Sequence, residues 1–342
     1  MEIIKENKVK RNVGLDLIRM CASLFTIAGH FFTLNTPFDG TKFEGGIFIQ
    51  GVFNTLFSGV PFFILLSGFL QCNKTIDVSY YKSCIKVILA YLFYSIITIV
   101  FRKYYVGEDL SWSEWGARIL NYSAIPYAWY IEMWLGLFLL IPFLNRLYKA
   151  LSNKNEKLIL IGSLILMTSI PNLLNRYGFY IAPAYWQICY PLTLYFIGSY
   201  IREYRPQVNV PKSIAIIVAI CLINPLFTLL FVPNQPIIHI IGNSYGVFGI
   251  TISTLLFLLL YQLDFKIAIL RKIIGFAAPL SLGVYLSCWV FDKLYYPYFI
   301  DHYYQDQSQF GWYFFIIVPM VYISSLLIAW IQSILFRLLR IS

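Results

Sequence analysis

The sequence predicts an all-α, polytopic membrane bundle of about ten transmembrane helices with both termini in the cytoplasm. Three observations carry that prediction. Of 342 residues, 59% are hydrophobic and 12% charged, where a soluble domain carries about 25% charged residues. The apolar residues gather into runs long enough to cross a bilayer, which takes about 20 residues per helix. The basic residues are spread unevenly between the connecting segments, in the manner that sets membrane orientation.

Taken in order, the runs cover 14–34, 47–72, 84–104, 127–145, 158–175, 187–203, 212–232, 245–263, 275–296 and 312–336. Residues 1–13 form a polar, basic cytoplasmic tail, 14–336 the transmembrane domain and 337–342 a short cytoplasmic tail. The first run is long and has no small-residue cleavage signal after it, so it reads as a retained span and not a signal peptide. Polar or proline residues interrupt the fourth and sixth runs. With the N-terminus inside, all but seven of the 26 lysines and arginines fall at inner positions; the seven are Arg19, Lys42, Arg102, Lys103, Arg118, Arg176 and Lys293. The net charge of +10 therefore reads as orientation and contact with anionic lipid, and no nucleic-acid partner is expected. Outer segment 102–126 contains an amphipathic, interfacial piece. Segment 297–311 reads as an acidic, aromatic outer loop suited to sugar stacking or to interfacial anchoring.

The six cysteines all lie in or beside apolar runs, and none forms C-x-x-C. They read as free thiols, with no disulfide framework and no metal site. The motifs of P-loop nucleotide binding, zinc hydrolases and the serine nucleophile elbow are absent from the sequence. With no room for a soluble catalytic domain, any chemistry belongs inside the bundle.

The first run contains that chemistry. It reads G-L-D-L-I-R-M-C-A-S-L-F-T-I-A-G-H-F-F. On a helix, Asp16, Arg19, Ser23, Thr26 and His30 share an arc of about 80°. Arg19 and His30 lie about 16 Å apart along the axis. A polar stripe in a span faces the bundle interior or a water-filled cavity. His30 is the candidate general base and Arg19 the candidate holder of an anionic group, with Asp16 fixing the rotamer of Arg19. The plainer reading is a polar seam between helices.

The stretch R-N-V-G-L-D-L-I-R, residues 11–19, followed by His30, resembles the first-span motif of the acyltransferase-3 family of membrane acyltransferases. The stretch V-P-F-F-I-L-L-S-G-F-L, residues 60–70, resembles that family's second-span motif. The resemblance implies ten spans, Arg19 and His30 as the essential pair, and transfer of acyl groups, often acetyl from acetyl-CoA, to hydroxyls of cell-surface glycans. One position departs from the pattern. Residues 281–288 read S-L-G-V-Y-L-S-C, with Cys288 where the family often has histidine.

Other residues complete the candidate list. Glu132, inside the fourth run, is a candidate partner of Arg19 or orienter of His30, or else an interfacial acid. Lys82 and Lys86 share a helical face at i, i+4 and would meet the donor's phosphates at the inner mouth, or serve as positive-inside anchors. Ser67 joins them at the donor site; no base lies beside it in sequence, so it is not read as a nucleophile. The neighbouring Gly68 permits close helix approach. His239 and His302 lie in outer segments.

The expected function is a multi-pass cell-membrane O-acyltransferase. Acetyl-CoA is its donor substrate, no cofactor is bound permanently, and a glycan or lipid-linked sugar is the acceptor. Transfer proceeds with His30 as base, either directly or through an acyl-His30 intermediate. The alternative is a polysaccharide exporter or a proton-coupled transporter. Such proteins often carry inverted repeats, and the sequence shows no repeat.

Overall fold

The computed structural model describes residues 11–38, 51–53, 55–57, 59–175, 180, 183–231 and 246–341. Among these residues every regular element is helical and there is no strand. The N-terminal tail up to residue 10, His239, and the outer ends of the second, seventh and eighth runs lie outside the described residues.

Helix α1, Val13–His30, is the axis of the molecule. It starts where Asn12 caps it, its side chain accepting from the Leu15 N–H at 3.0 Å. Asp16 sits in its first turn, where the helix dipole favours an acid. At the far end α1 widens into one π-turn, Phe31–Asn35. Around it stand α2 (Val60–Gln71), α3 (Cys84–Phe101), α4 (Trp112–Leu120), α5 (Trp129–Ala150), α6 (Lys154–Thr168), α7 (Tyr190–Tyr204), α8 (Val210–Phe231), α9 (Val247–Leu260), α10 (Ala268–Ala277), α11 (Ser281–Tyr303) and α12 (Phe314–Leu338). Helix α1 touches α2, α9, α10, α11 and α12.

Five helical segments are long and apolar enough to cross a membrane: Val13–Asn35, Val78–Val106, Trp129–Ala150, Ala268–Tyr303 and Gln307–Leu338. Three shorter apolar helices accompany them, at Val60–Gln71, Val210–Ile223 and Val247–Leu260. The expected fifth run, 158–175, breaks at Ser169, so α6 is 15 residues long. The expected sixth, 187–203, starts in a 3-10 turn and gives the 15-residue α7. At 1.5 Å per residue each falls short of the roughly 30 Å hydrocarbon core.

Helices α2 and α7 meet backbone to backbone. A methyl group at Gly68 would strike the Tyr195 carbonyl, and one at Gly198 the Leu65 carbonyl. Ser199 then donates across to the Gly68 carbonyl at 3.3 Å. Small residues give transmembrane helices this kind of contact, where packing replaces the hydrophobic drive. The Ser67-Gly68 pair therefore places its glycine in the crossing.

Two large apolar clusters fill the bundle, beside two small ones around Trp115 and Ile252. One centres on α2, α5 and α7. The other surrounds the His30 end of α1 and is built from Phe31, Phe32, Trp289, Tyr296, Phe310 and Phe314. The expected amphipathic piece in 102–126 is α4, which buries only Trp115 and starts with a Ser111–Glu114 capping box. Segment 297–311 differs from the loop expected of it. Helix α11 runs on to Tyr303 through Pro297, and a short helix follows at Gln307–Phe310. The cysteines are free, with no disulfide joining them.

Candidate active site

The polar stripe of α1 divides into three zones. At the N-terminal end Asp16, 4% exposed, accepts from Nε of Arg11 and from Nη1 of Arg19, the latter at 3.2 Å. A buried carboxylate is costly unless paired, and two guanidiniums supply the pairing. In the middle, Ser23 and Thr26 donate back to the Met20 and Ala22 carbonyls at 3.0 and 2.8 Å. Gly59 lies against Ala22 and Thr26 with no room for a side chain. This middle zone is the polar seam that the plainer reading of the stripe described. At the C-terminal end stands His30.

Arg19 lines a cavity of about 200 Å³ together with Ser67, Gln71, Tyr130, Trp134, Ser281 and Tyr285. Ser67 donates to the Phe63 carbonyl at 3.0 Å and presents no activated hydroxyl. Beside this cavity lies a groove of about 320 Å³ that shares its walls Val87 and Leu282. Two cations line the groove, Lys86 and Arg337. Lys82 lines neither. It closes a short helix, Val78–Lys82, which runs on through Ser83, itself in the helical conformation, into α3, so Lys82 and Lys86 stand four residues apart on one helical segment. Both lysines are exposed.

His30 is enclosed, its side chain 12% exposed. Its Nδ1 lies 3.8 Å from Oδ2 of Asp292 and 3.9 Å from Sγ of Cys288. Asp292 is fully buried. Its Oδ2 accepts from Nδ2 of Asn35 at 2.9 Å and from the Tyr127 hydroxyl at 3.1 Å. Oδ1 has no hydrogen-bond partner among the described residues. The Tyr127 ring lies over His30 with centroids 4.0 Å apart. Tyr285, a wall of the Arg19 cavity, donates its hydroxyl to the Tyr127 carbonyl. The two tyrosines thus join the cavity to the histidine.

The local sequence explains the arrangement. The π-turn after His30 brings Asn35 back to the His30 carbonyl at 3.4 Å and onto Asp292. Such widened turns recur at functional sites. On α11, Tyr285, Cys288 and Asp292 follow at three- and four-residue spacing and share one face. The cysteine that departs from the family pattern therefore stands beside His30, and it donates to the Tyr285 carbonyl at 3.2 Å.

The chemistry follows from the charges. At 3.8 Å the His30–Asp292 pair is beyond direct hydrogen-bond range, with the carboxyl group facing Nδ1 across that gap. A carboxylate facing Nδ1 favours the proton on that nitrogen and leaves Nε2 as the basic one. It also stabilises the imidazolium formed when Nε2 takes a proton. His30, Cys288 and Asp292 offer nitrogen, sulfur and oxygen atoms within 4.8 Å of one another, a donor set that suits zinc, although the sequence motifs suggested no metal site.

Glu132 is not part of this site. It is exposed on α5, while its neighbours Tyr130, Ile131 and Trp134 line the Arg19 cavity. Asp292 occupies the place proposed for it beside His30. The sequence signal for Asp292 was the one that marked Asp16, a lone acid within an apolar run. His302 lies exposed, stacked on Tyr298 at 4.4 Å.

A helical membrane protein with an enclosed histidine–carboxylate pair and an arginine-lined cavity on one helix is the class that fold and site define. The chain belongs to the acyltransferase-3 family: the family's acyltransferase-domain model matches residues 12–330. It is therefore an acyltransferase. No curated protein and no solved structure matches it.

Proposed function

We propose that this protein is a cell-membrane O-acetyltransferase that moves acetyl from cytoplasmic acetyl-CoA to a hydroxyl of a cell-surface or lipid-linked glycan. In this reading the chain crosses the membrane ten times, with the shorter helices completing the bundle and both termini inside. The observation that carries the reading is the placement of two groups on one helix: Arg19 in an inner cavity, and His30 against buried Asp292 at the other end.

The donor's phosphates meet Lys86 and Arg337 in the inner groove, and its acyl arm enters the cavity past Arg19. His30 takes the proton of the acceptor hydroxyl as that oxygen attacks the thioester carbonyl. The C–S bond breaks, and the proton passes from the imidazolium to the leaving thiolate. Asp292 steadies the imidazolium between these steps. Phe31, Phe32 and Phe314 close the aromatic cluster around this end, which keeps water from competing with the acceptor.

The test uses membranes containing the wild type, His30→Ala or Asp292→Asn at equal protein level, supplied with radiolabelled acetyl-CoA. Label should enter surface glycan with the wild type and be lost with His30→Ala. Label that persists in both variants would overturn the mechanism.

A further inference from the structure

A third cavity, larger than the two beside Arg19, shares no lining residue with them. It has a volume of about 450 Å³ and is enclosed by the start of α1 and the ends of α2, α7 and α9. Arg11, Arg202 and Arg205 line it, with Asp264 as the acid among its lining residues. The amides of Asn12, Gln207 and Gln262 complete its polar wall.

Three features set this pocket apart from scattered surface charge. Among the described residues no carboxylate lies within ion-pair distance of Arg202 or Arg205. The Arg202 guanidinium is held in place over the Phe69 ring, 5.2 Å from its centroid. Arg205 ends α7 in the left-handed conformation, φ 44°. Glycine is the usual occupant of that position, and a strained side chain that lines a pocket marks a place where function sets the residue.

We propose that this pocket binds a phosphoryl group, carried either by a lipid headgroup or by a soluble phosphate compound. The planar guanidinium forks of Arg202 and Arg205 match the oxygens of a phosphate in a way that lysine does not, while Arg11 is held at the rim by Asp16 and the Gly275 carbonyl. The neutral amides suit ester or hydroxyl oxygens beside it. The volume is that of a small-molecule site. The pocket opens at the end of the bundle where α1 starts, opposite His30, and basic pockets between helices on that side hold anionic headgroups. Arg11 links it to the acyl-transfer machinery, because its Nε donates to the same Asp16 that pairs with Arg19.

The test measures binding by the purified full-length protein in uncharged detergent. The probes are inorganic pyrophosphate and micelles doped with phosphatidylglycerol or, as a neutral control, phosphatidylcholine. Thermal unfolding reports the first, and native mass spectrometry of retained lipid the second. The wild type should retain phosphatidylglycerol over phosphatidylcholine, or be stabilised by pyrophosphate. Retention of the lipid alone identifies a headgroup; stabilisation by pyrophosphate identifies a soluble phosphate compound. Arg202→Gln with Arg205→Gln should weaken binding about tenfold or more. Lys154→Gln, which removes an exposed cation that lines neither groove, should leave it unchanged. Asp264→Asn should tighten binding, which an unfolded variant cannot imitate. Absence of binding to the wild type, or equal affinity in the Asp264→Asn protein, would overturn the proposal. No acyl donor is present, so either result leaves the transfer mechanism to its own test.

Discussion

Oδ2 of Asp292 lies 3.8 Å from Nδ1 of His30, bringing the middle of α11 against the last residue of α1. The same oxygen is held by Asn35 and by Tyr127. The imidazole is thereby set between a fixed carboxylate and an aromatic ring, with the cavity of Arg19 one tyrosine away.

Asp292 is a positioning residue, and its substitution should separate turnover from binding. Asp292→Asn should lower kcat about 100-fold with little change in KM for the donor. Asp292→Glu should recover part of the loss. A rise in KM with kcat intact would place Asp292 outside the chemistry.

Arg19 should show the opposite split. Arg19→Gln should raise KM for the acyl donor about tenfold and reduce kcat less, because the lost interaction is made in the ground state as well as in the transition state. Steady-state kinetics at saturating acceptor decides this. Unchanged donor KM would remove Arg19 from donor binding.

Gly68→Ala should destabilise the fold by about 1–3 kcal/mol, since the added methyl meets the backbone of Tyr195 and neither helix can yield at one atom. The midpoint of thermal unfolding in detergent measures it. Gly136→Ala, where a methyl has open space, is the matched control.

Glu108 should make the segment between α3 and α4 sensitive to acid. Hydrogen bonds from Arg102, at 2.8 and 2.7 Å, hold its carboxyl below the ordinary value of 4.5. Folding therefore favours the charged form. The contribution is present above pH 4.5 and is lost as pH falls through the folded-state value. With Glu108 partly exposed, the contribution is about 1 kcal/mol. Glu108→Gln should melt below the wild type at pH 7, and the gap should close near the acid end. A gap of equal size at both ends would show that packing, not charge, accounts for it.

Much of the fold and part of the site were legible in the sequence. Long apolar runs announce helices because a bilayer leaves the backbone no other partner. Asp16, Arg19 and His30 stood out because charge within such a run is costly, and helical spacing alone put them on one face. Asp292 carried the same mark. Its role was hidden because nothing in a linear sequence says which of several lone acids meets His30. Glu132 was the acid singled out on sequence, and it is exposed. Lys82 and Lys86 had the right spacing, but of the two only Lys86 lines the groove beside the Arg19 cavity.

The sequence by itself determined the helical class, the family motifs and the first helix's charged stripe, because these rest on local periodicity and on the cost of charge in an apolar run. Tertiary structure alone decided which parts of that stripe do chemistry. Packing of α2 through Gly59 turned its middle into a seam. The arrival of α11 placed Cys288 and Asp292 beside His30, and the π-turn delivered Asn35 to the same carboxylate. These contacts join residues far apart in the chain, and only the packing of helices against one another sets such distances.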